Sequence, residues 1–183
     1  THFVSSEGAA KRVQVLGEPF ESVHVIGSPE LDFHAGPSGV HIDEVKAYYD
    51  IAFQDYGICI FHPVTSEVTS MGKQAKALFG SLQASNRPFV LIAPNNDPAS
   101  DQIFDVINRL DPKQFRLIPS MRFAHFSELM KNASVMIGNS SAGVREAPFL
   151  GLASMDIGTR QTNRASAPSL RVAQADDAPE IAA

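Results

Sequence analysis

Short, unbroken apolar runs alternate with longer amphipathic stretches along most of the chain. The runs predict β-strands, and their lack of apolar–polar alternation is typical of strands that are buried on both faces. The predicted strands are YGICIFHP at 56–63, FVLIAP at 89–94, FRLIPS at 115–120, SVMIGN at 134–139, LASMDIG at 152–158 and LRVAQA at 170–175.

One helix is predicted before the first of these strands, and four more are predicted between successive strands. The segments are IDEVKAYYDI at 42–51, SEVTSMGKQAKALFGSLQ at 66–83, DQIFDVINRL at 101–110, HFSELMKNA at 125–133 and AGVREAPFLG at 142–151. Thr65 or Ser66 is expected to cap the second of them, with Glu67 in its first turn. Strand, helix and strand joined by short loops imply right-handed crossovers, so we expect an α/β fold, a Rossmann-like parallel sheet covered by helices on both faces.

The first residues form a separate pattern. THFVSS is a short apolar segment that runs into serines, and EGAAKRVQVLG predicts a helix capped by Ser5 or Ser6 and ending at Gly17. SVHVIGSP is rich in β-forming residues. The segment DFHAGPSG, at 32–39, is punctuated by Gly and Pro and is interpreted as a linker loop. By its length alone, the chain of 183 residues is expected to form one domain.

Composition narrows the function classes. Of the 183 residues, 44% are hydrophobic and 19% charged, which is typical of a globular chain. The net charge of −5 argues against binding to nucleic acid or to an acidic membrane surface. Cys59 is the single cysteine, so no disulfide can form within the chain; it is expected to be a buried, inert thiol. No signal peptide and no long apolar run is visible, and we expect a cytoplasmic protein without a membrane segment; because the chain begins with Thr, we expect a fragment.

In sheets of this kind, ligands bind beyond the carboxyl ends of the strands, where the strand order reverses. The residues that directly follow the predicted strands are therefore the candidates for chemistry. They are HPVTSE at 62–67, PNND at 94–97, PSMRF at 119–123, GNSSAG at 138–143 and GTRQTNR at 158–164.

The segment that follows SVMIG is the sharpest candidate. Asn139 or Ser140 is expected to cap a helix whose first positions are small, and small side chains allow an anion to approach the free N–H groups. Glu146 comes seven residues after Asn139, two turns on and on the same helix face. That is an offset of roughly 10 Å, which suits a carboxylate that binds sugar hydroxyls while phosphates lie at the tip of the helix. The alternative is an ordinary serine-capped helix with Glu146 as a solvated charge.

His62, Arg160, Arg164 and Asn95 are further candidates. His62 ends a strand and could stabilise a departing phosphate as a hydrogen-bond donor or general acid, although a lone histidine is also often structural. The two arginines suit phosphate recognition through the planar guanidinium group, or are solvated loop residues. Asn95 could contact a ligand or simply form a turn that starts a helix.

Several kinds of chemistry lack support in the sequence. The remaining histidines show no metal-ligand spacing, so no protein metal site is predicted, and no other cofactor is implied. Neither a Gly-x-Ser-x-Gly nucleophile elbow, a dinucleotide fingerprint nor a Walker-type phosphate loop is present.

Four ordered motifs resemble one known family. FHPVTSE, PNNDPASD, GNSSAGVREAP and GTRQTNR are together similar to the hydrolysing UDP-N-acetylglucosamine 2-epimerases, and more narrowly to the branch that feeds sialic acid and related nonulosonate synthesis. The segment HFVSSEGAAKRVQVLGE…VIGSPELD is similar to the hinge region of that family. The resemblance implies one half of a two-domain GT-B-type fold: residues 1–40 would be the hinge and the end of the first domain, and 41–183 a UDP-binding domain truncated at its C-terminus.

The resemblance also implies a reaction. UDP is eliminated across C1 and C2 of UDP-N-acetylglucosamine to give a 2-acetamidoglucal intermediate, and in the hydrolysing branch the products are N-acetylmannosamine and UDP. The full-length protein would be a homo-oligomer, a dimer or tetramer. Because the family's first domain carries most of the acid–base groups, this chain alone is expected to be inactive.

The resemblance also implies roles for individual residues. Ser140 and Ser141 match the positions that hold the diphosphate, and Glu146 matches the acid that binds the ribose hydroxyls. Phe126 matches the position at the uracil. His62 matches a histidine close to the phosphates and the reacting carbon, and either Arg160 or Arg164 matches an arginine at the phosphates.

Two other classes of function stay open. One is the UDP-sugar-binding half of a GT-B glycosyltransferase or of a non-hydrolysing 2-epimerase; SSAGVRE together with GTRQ argues against a transferase. The other is a flavodoxin-like phosphate-sensing domain, which would need an acidic pocket after the first strand of the regular repeat, where this chain has His62.

Overall fold

The computed structural model describes residues 1–182, and they form two compact units. The first unit is Thr1–Pro37 and the second begins at Ser38. Within the described residues, no helix is long and apolar enough to cross a membrane, and no group of three or more His, Cys, Asp or Glu could hold a metal ion.

The first unit holds a two-stranded parallel sheet. Strands β1, His2–Val4, and β2, Val23–Val25, pair in parallel around helix α1, Glu7–Val15. The expected cap is confirmed, because Ser6 Oγ accepts a hydrogen bond from the backbone N–H of Ala9 at 3.2 Å.

The predicted loop DFHAGPSG is partly wrong. Helix α2 spans Pro29–Ala35, so only the end of that segment is loop. Pro29 lies at the first helical position, where its missing N–H costs nothing and its fixed φ favours the helix, and Gly36 follows the last turn. Gly36 and Pro37, which indicated a loop, therefore mark only the C-terminal end of this helix.

The second unit alternates strands and helices. Its strands are β3 Gly57–Ile60, β4 Phe89–Ile92, β5 Phe115–Ile118, β6 Val135–Gly138, β7 Ser154–Ile157 and β8 Leu170–Ala173. Its helices are α3 Ile42–Tyr49, α4 Met71–Ala84, α5 Ser100–Ile107, α6 Phe123–Lys131, α7 Ser141–Val144, α8 Glu146–Phe149 and α9 Ala178–Ala182.

These six strands form one parallel sheet in the order β5-β4-β3-β6-β7-β8, which confirms the predicted Rossmann-like class. The order reverses between β3 and β6, since the chain builds outwards from β3 to β5 and then returns to place β6 on the other side of β3. Ligand sites in such sheets lie beyond the strand ends at that reversal.

Two apolar clusters cover the two faces of this sheet. Cys59 points to the face packed by α4, α5 and α9, while Ile58 and Ile60 point to the face packed by α3, α6, α7 and α8. All four residues of β3 are buried, as its unbroken apolar run predicts. Cys59 is 1% exposed, and burial raises the pKa of its thiol, which confirms a buried cysteine.

Two of the predicted helices are interrupted. The helix expected from Ser66 begins instead at Met71, after a 3-10 segment, Thr65–Ser70, in which Glu67 has non-helical φ and ψ of −126° and 21°. Neither Thr65 nor Ser66 is therefore the cap of α4, whose preceding residue is Ser70. Sequence reasoning also missed helix α9 near the C-terminus.

The helix predicted over 142–151 is two short helices, α7 and α8, separated at Arg145. Pro148 explains the break, because it has no N–H to donate to the carbonyl of Val144 and its ring clashes with that carbonyl in a continuous helix.

Candidate functional site

A buried asparagine joins the ends of the two strands at the reversal. Asn139 follows β6 and is 0% exposed. Its Oδ1 accepts a hydrogen bond from the backbone N–H of His62 at 2.7 Å, and its Nδ2 donates to the His62 carbonyl at 2.8 Å. The Asn139 side chain therefore fixes the backbone that carries His62; this reciprocal pair is called the His62–Asn139 clasp below.

Gly138 makes this close approach possible. Its φ is +134°, and a Cβ built there would lie 2.0 Å from the carbonyl oxygen of Ile60. Because no side-chain-bearing residue tolerates such a contact, the glycine lets the end of β6 lie directly against the end of β3. The backbone N–H of Asn139 then donates to the same Ile60 oxygen at 3.0 Å.

The His62 ring is oriented by the loop after β4. Its Nδ1 accepts a hydrogen bond from the backbone N–H of Asn95 at 3.1 Å. A neutral imidazole that accepts at Nδ1 carries its proton on Nε2, so His62 presents an N–H donor at its other nitrogen. The side chain of Asn95 donates to Asp97 Oδ2 at 2.6 Å, which fixes that loop in turn.

The surroundings of His62 keep the ring neutral. Burial is the main cause that lowers its pKa to about 4, the Arg160 guanidinium lowers it further, and the Asp97 carboxylate acts in the opposite direction. A group with this pKa is uncharged near neutral pH, so it offers a hydrogen bond rather than a positive charge. Arg160 supplies the cation next to it.

The turn after β7 completes the cluster. Arg160 Nη1 and Gln161 Nε2 both donate to the backbone carbonyl of Asn139, at 3.2 and 2.8 Å. Arg164 lies further along the same turn and is exposed. Of the two arginines that the sequence left open, the structure brings Arg160 to His62 and Asn139.

The segment after Asn139 begins as the sequence predicts. Ser140 is the cap of α7, with its Oγ accepting from the backbone N–H of Ala142 at 3.4 Å, and Ser141 is the first helical residue. Of the two expected caps, Ser140 is correct and Asn139 is not, because the Asn139 side chain is committed to His62.

Glu146 differs from its expected setting in one respect. The break at Arg145 places it at the start of α8, so a two-turn offset along one helix face does not describe its relation to Asn139. It is only 8% exposed, which excludes a solvated charge. Burial raises the pKa of its carboxyl, and the neighbouring Arg145 acts against that rise.

Phe126 lies on a different helix from the other candidates. It lies on α6, which follows the outermost strand β5, and packs against the apolar cluster on that face. The structure therefore joins His62 directly to Asn95 and, through Asn139, to Arg160, whereas Phe126 packs against the apolar cluster.

Sequence reasoning missed the contribution of Asn139 and Gln161. Both directly follow a strand or its first turn, which is the signal that selected His62. Their side-chain partners are backbone groups of residues far away in sequence, at separations of 77 and 22 positions, and no spacing rule reveals such pairs.

Comparison with known proteins identifies the family. Residues 1–182 match the family model described as UDP-N-acetylglucosamine 2-epimerase. A protein of that name from Neisseria meningitidis serogroup B is 42% identical over 163 residues, which are 89% of this chain and 43% of that protein. A hydrolyzing UDP-N,N'-diacetylbacillosamine 2-epimerase from Legionella pneumophila is 31% identical, over 89% of this chain and 44% of that protein.

Solved structures show the same fold. The UDP-GlcNAc 2-epimerase from Neisseria meningitidis bound to UDP-GlcNAc superposes with a TM-score of 0.72 at 16% identity, covering 99% of this chain and 51% of that one. The Methanocaldococcus jannaschii enzyme in complex with UDP-GlcNAc and UDP has a TM-score of 0.74 at 15% identity, covering 98% and 51%.

The chain thus spans less than half the length of the curated relatives that it matches and about half of the solved structures. The match to the family model extends over the whole described part of the chain, and it agrees with the resemblance of the four strand-end motifs. The chain belongs to the UDP-N-acetylglucosamine 2-epimerase family.

Proposed function

We propose that this chain is the UDP-binding half of a hydrolysing UDP-N-acetylglucosamine 2-epimerase. The full-length protein would convert UDP-N-acetylglucosamine to N-acetylmannosamine and UDP through a 2-acetamidoglucal intermediate. The observation that carries the proposal is the cluster of His62, Asn95, Asn139 and Arg160 at the strand-order reversal. Family membership and relatives whose names include hydrolyzing 2-epimerases support it.

In this proposal the diphosphate lies between the start of α7 and Arg160. Ser140 and Ser141 offer hydroxyl and backbone donors, and Arg160 offers a guanidinium that is already oriented by the Asn139 carbonyl. An arginine held in place loses less conformational entropy on binding phosphate than a free one. Arg160 is therefore our choice over the exposed Arg164.

Three further residues would complete the UDP site. Glu146 would accept hydrogen bonds from the ribose hydroxyls, and Phe126 would lie at the uracil. Asn95 has a buried side-chain oxygen without a hydrogen-bond partner among the described residues, which a ligand donor could satisfy.

His62 would stabilise the departing UDP as a neutral donor. The Asn95 N–H at Nδ1 leaves the Nε2 proton available for a phosphate oxygen, on which negative charge develops as the C1–O bond breaks. Because the pKa of His62 is lowered to about 4, a hydrogen bond from neutral imidazole is favoured over general-acid transfer from imidazolium.

The remaining proposals concern the full-length protein. Residues 1–40 would be the hinge and the end of a first domain, and that domain would supply most of the proton-transfer groups. We also expect a homo-oligomer and a cytoplasmic location. A non-hydrolysing 2-epimerase or a GT-B glycosyltransferase half is the alternative; an assay of the full-length protein for free N-acetylmannosamine distinguishes the hydrolysing reaction from both.

Calorimetric titration of this chain with UDP tests the site, with AMP as the control nucleotide. We expect UDP to bind in preference to AMP. Glu146→Ala is expected to weaken UDP binding about tenfold or more, because two hydrogen bonds to the ribose are lost. Equal binding of UDP and AMP, or a Glu146→Ala variant that binds UDP as tightly as the wild type, would contradict the assignment.

A further inference from the structure

Glu67 has contacts that the proposed reaction does not explain. It lies in the 3-10 segment after β3, and its two carboxylate oxygens have different partners. Oε1 accepts a hydrogen bond from the hydroxyl of Thr159, and Oε2 accepts one from Gln74 Nε2 at 2.7 Å. Thr159 follows β7, so Glu67 connects the loops after two strands that are not neighbours in the sheet.

The Gln74 side chain holds this carboxylate in place. Gln74 is 8% exposed on α4, and its Nε2 also donates to Ser70 Oγ at 3.1 Å. Ser70 in turn donates to the backbone carbonyl of Glu67 at 2.9 Å. These bonds accompany the non-helical backbone of Glu67, which interrupts the helix predicted from Ser66 and turns the carboxylate towards Thr159.

Thr159 directly precedes Arg160 and Gln161, whose side chains both donate to the Asn139 carbonyl. The side chains of the turn after β7 are therefore held at two points, in addition to the backbone hydrogen bond from the Gly158 N–H to the Ala173 carbonyl at 2.8 Å. Asn139 fixes the turn from the side of β6, and Glu67 fixes it through Thr159 from the side of the loop after β3. Arg160 lies in the sequence between Thr159 and Gln161, and it shares the Asn139 carbonyl with Gln161.

We propose that Glu67 and Thr159 are positioning residues that set the location of the Arg160 guanidinium relative to His62, through a hydrogen bond called the Glu67–Thr159 latch. Neither residue needs to touch the substrate. With the latch open, the side chains of the turn keep only their hydrogen bonds to the Asn139 carbonyl, so Arg160 samples more positions. This inference rests on the proposed function in one point only: with the latch open, Arg160 binds the diphosphate less tightly.

Thr159→Val opens the latch with little change in side-chain shape, and Thr159→Ser is the matched control that keeps the hydroxyl. Thr159 is exposed, so both variants are expected to fold. Glu67→Gln also keeps the latch, because its amide oxygen can accept from Gln74 while its NH₂ donates to the Thr159 hydroxyl. Glu67→Ala opens the latch from the other side.

The first readout is the titration of the His62 ring by NMR, which needs no ligand. Since Arg160 contributes to the lowered pKa of His62, we expect Thr159→Val and Glu67→Ala to raise that pKa, and Thr159→Ser and Glu67→Gln to leave it close to the wild-type value. Arg160→Ala is expected to raise it at least as far. An unchanged His62 titration in Thr159→Val or in Arg160→Ala would overturn the inference.

The second readout is UDP affinity by calorimetry. We expect Thr159→Val to raise the dissociation constant of UDP about fivefold, with no further effect when Arg160→Ala is already present. An equal loss in both backgrounds would mean that Thr159 does not act through Arg160, which contradicts the proposal. If the wild type failed to bind UDP, the proposed function would fail, while the His62 titration would still decide the latch.

Discussion

The two segments on either side of Ser140 follow the same strand and differ in how they are held. Before it, the His62–Asn139 clasp closes on itself: the amide oxygen and nitrogen of Asn139 both bind backbone groups of His62, and Asn139 is fully buried. After it, α7 and α8 are helices of only four residues each, interrupted at Arg145.

This difference separates two tasks within one site. A donor aimed at a leaving group works best when it is oriented before the substrate arrives, because no reorganisation is then needed during the reaction. The clasp provides that orientation for His62. Helices of four residues contain few internal hydrogen bonds, and isolated helical turns are poorly stabilised. A bound anion can therefore contribute more to the order of α7 and α8. We therefore expect substitutions before Ser140 to affect stability first, and substitutions from Ser140 onwards to affect binding first.

Gly138→Ala should give the largest effect. The added Cβ would collide with the Ile60 carbonyl, and the φ of +134° is strained for any residue but glycine. We expect the free energy of unfolding, measured by urea titration, to fall by about 4 kcal/mol. Gly143→Ala is the matched control, because a Cβ there meets nothing within 4 Å. Similar losses in the two variants would mean that the close approach of β3 and β6 is not required for stability.

Asn139→Ala should rank second. The variant leaves the part-buried N–H and C=O of His62 without the partners that Asn139 provides, and each polar group left unsatisfied away from water is costly. We expect a loss of about 3 kcal/mol in the free energy of unfolding. Asn96→Ala, at an exposed position between Asn95 and Asp97, serves as the control and should change stability by less than about 0.5 kcal/mol. A loss below 1 kcal/mol for Asn139→Ala would show that water replaces the clasp.

The fold was predictable from the sequence because buried parallel strands are recognisable as short, unbroken apolar runs. The apolar run at β3 and those that follow it indicated a parallel sheet, and residues at the strand ends indicated the edge where His62, Asn95 and Asn139 meet. Helix interruptions were harder to predict. Pro148 inside the helical pattern at 142–151 is a local signal for a break in the helix. The break at Glu67 has no such signal, because it accompanies tertiary hydrogen bonds to Gln74 and Thr159.

The choice between Arg160 and Arg164 shows what local patterns leave out. Both arginines lie in one seven-residue segment, and each suits phosphate recognition by type. What distinguishes them is the carbonyl of Asn139, which lies 21 positions away from Arg160 in the sequence and becomes its partner only in the folded sheet. Pairings of this kind depend on strand order, and the order of the sheet was not assigned from the sequence.

Ser140→Ala should give the smallest loss of stability. It therefore tests most sharply the difference between the clasp before Ser140 and the short helices after it. The Ser140 Oγ bond to the N–H of Ala142 is long, at 3.4 Å, and it caps a helix of only four residues. We expect the free energy of unfolding to fall by less than about 1 kcal/mol. UDP affinity should fall about tenfold, because a hydroxyl donor to the diphosphate is removed where helix N–H groups already favour an anion.

The control for this variant is Ser166→Ala, at an exposed position in the second unit, which should change neither quantity. The two measurements on Ser140→Ala must diverge if the segment after β6 serves binding while the clasp before it serves stability. A large loss of stability with unchanged UDP affinity would reverse that division. Ser140 would then belong with Asn139 and Gly138 as part of the support for His62, and the diphosphate would have to be held chiefly by Arg160.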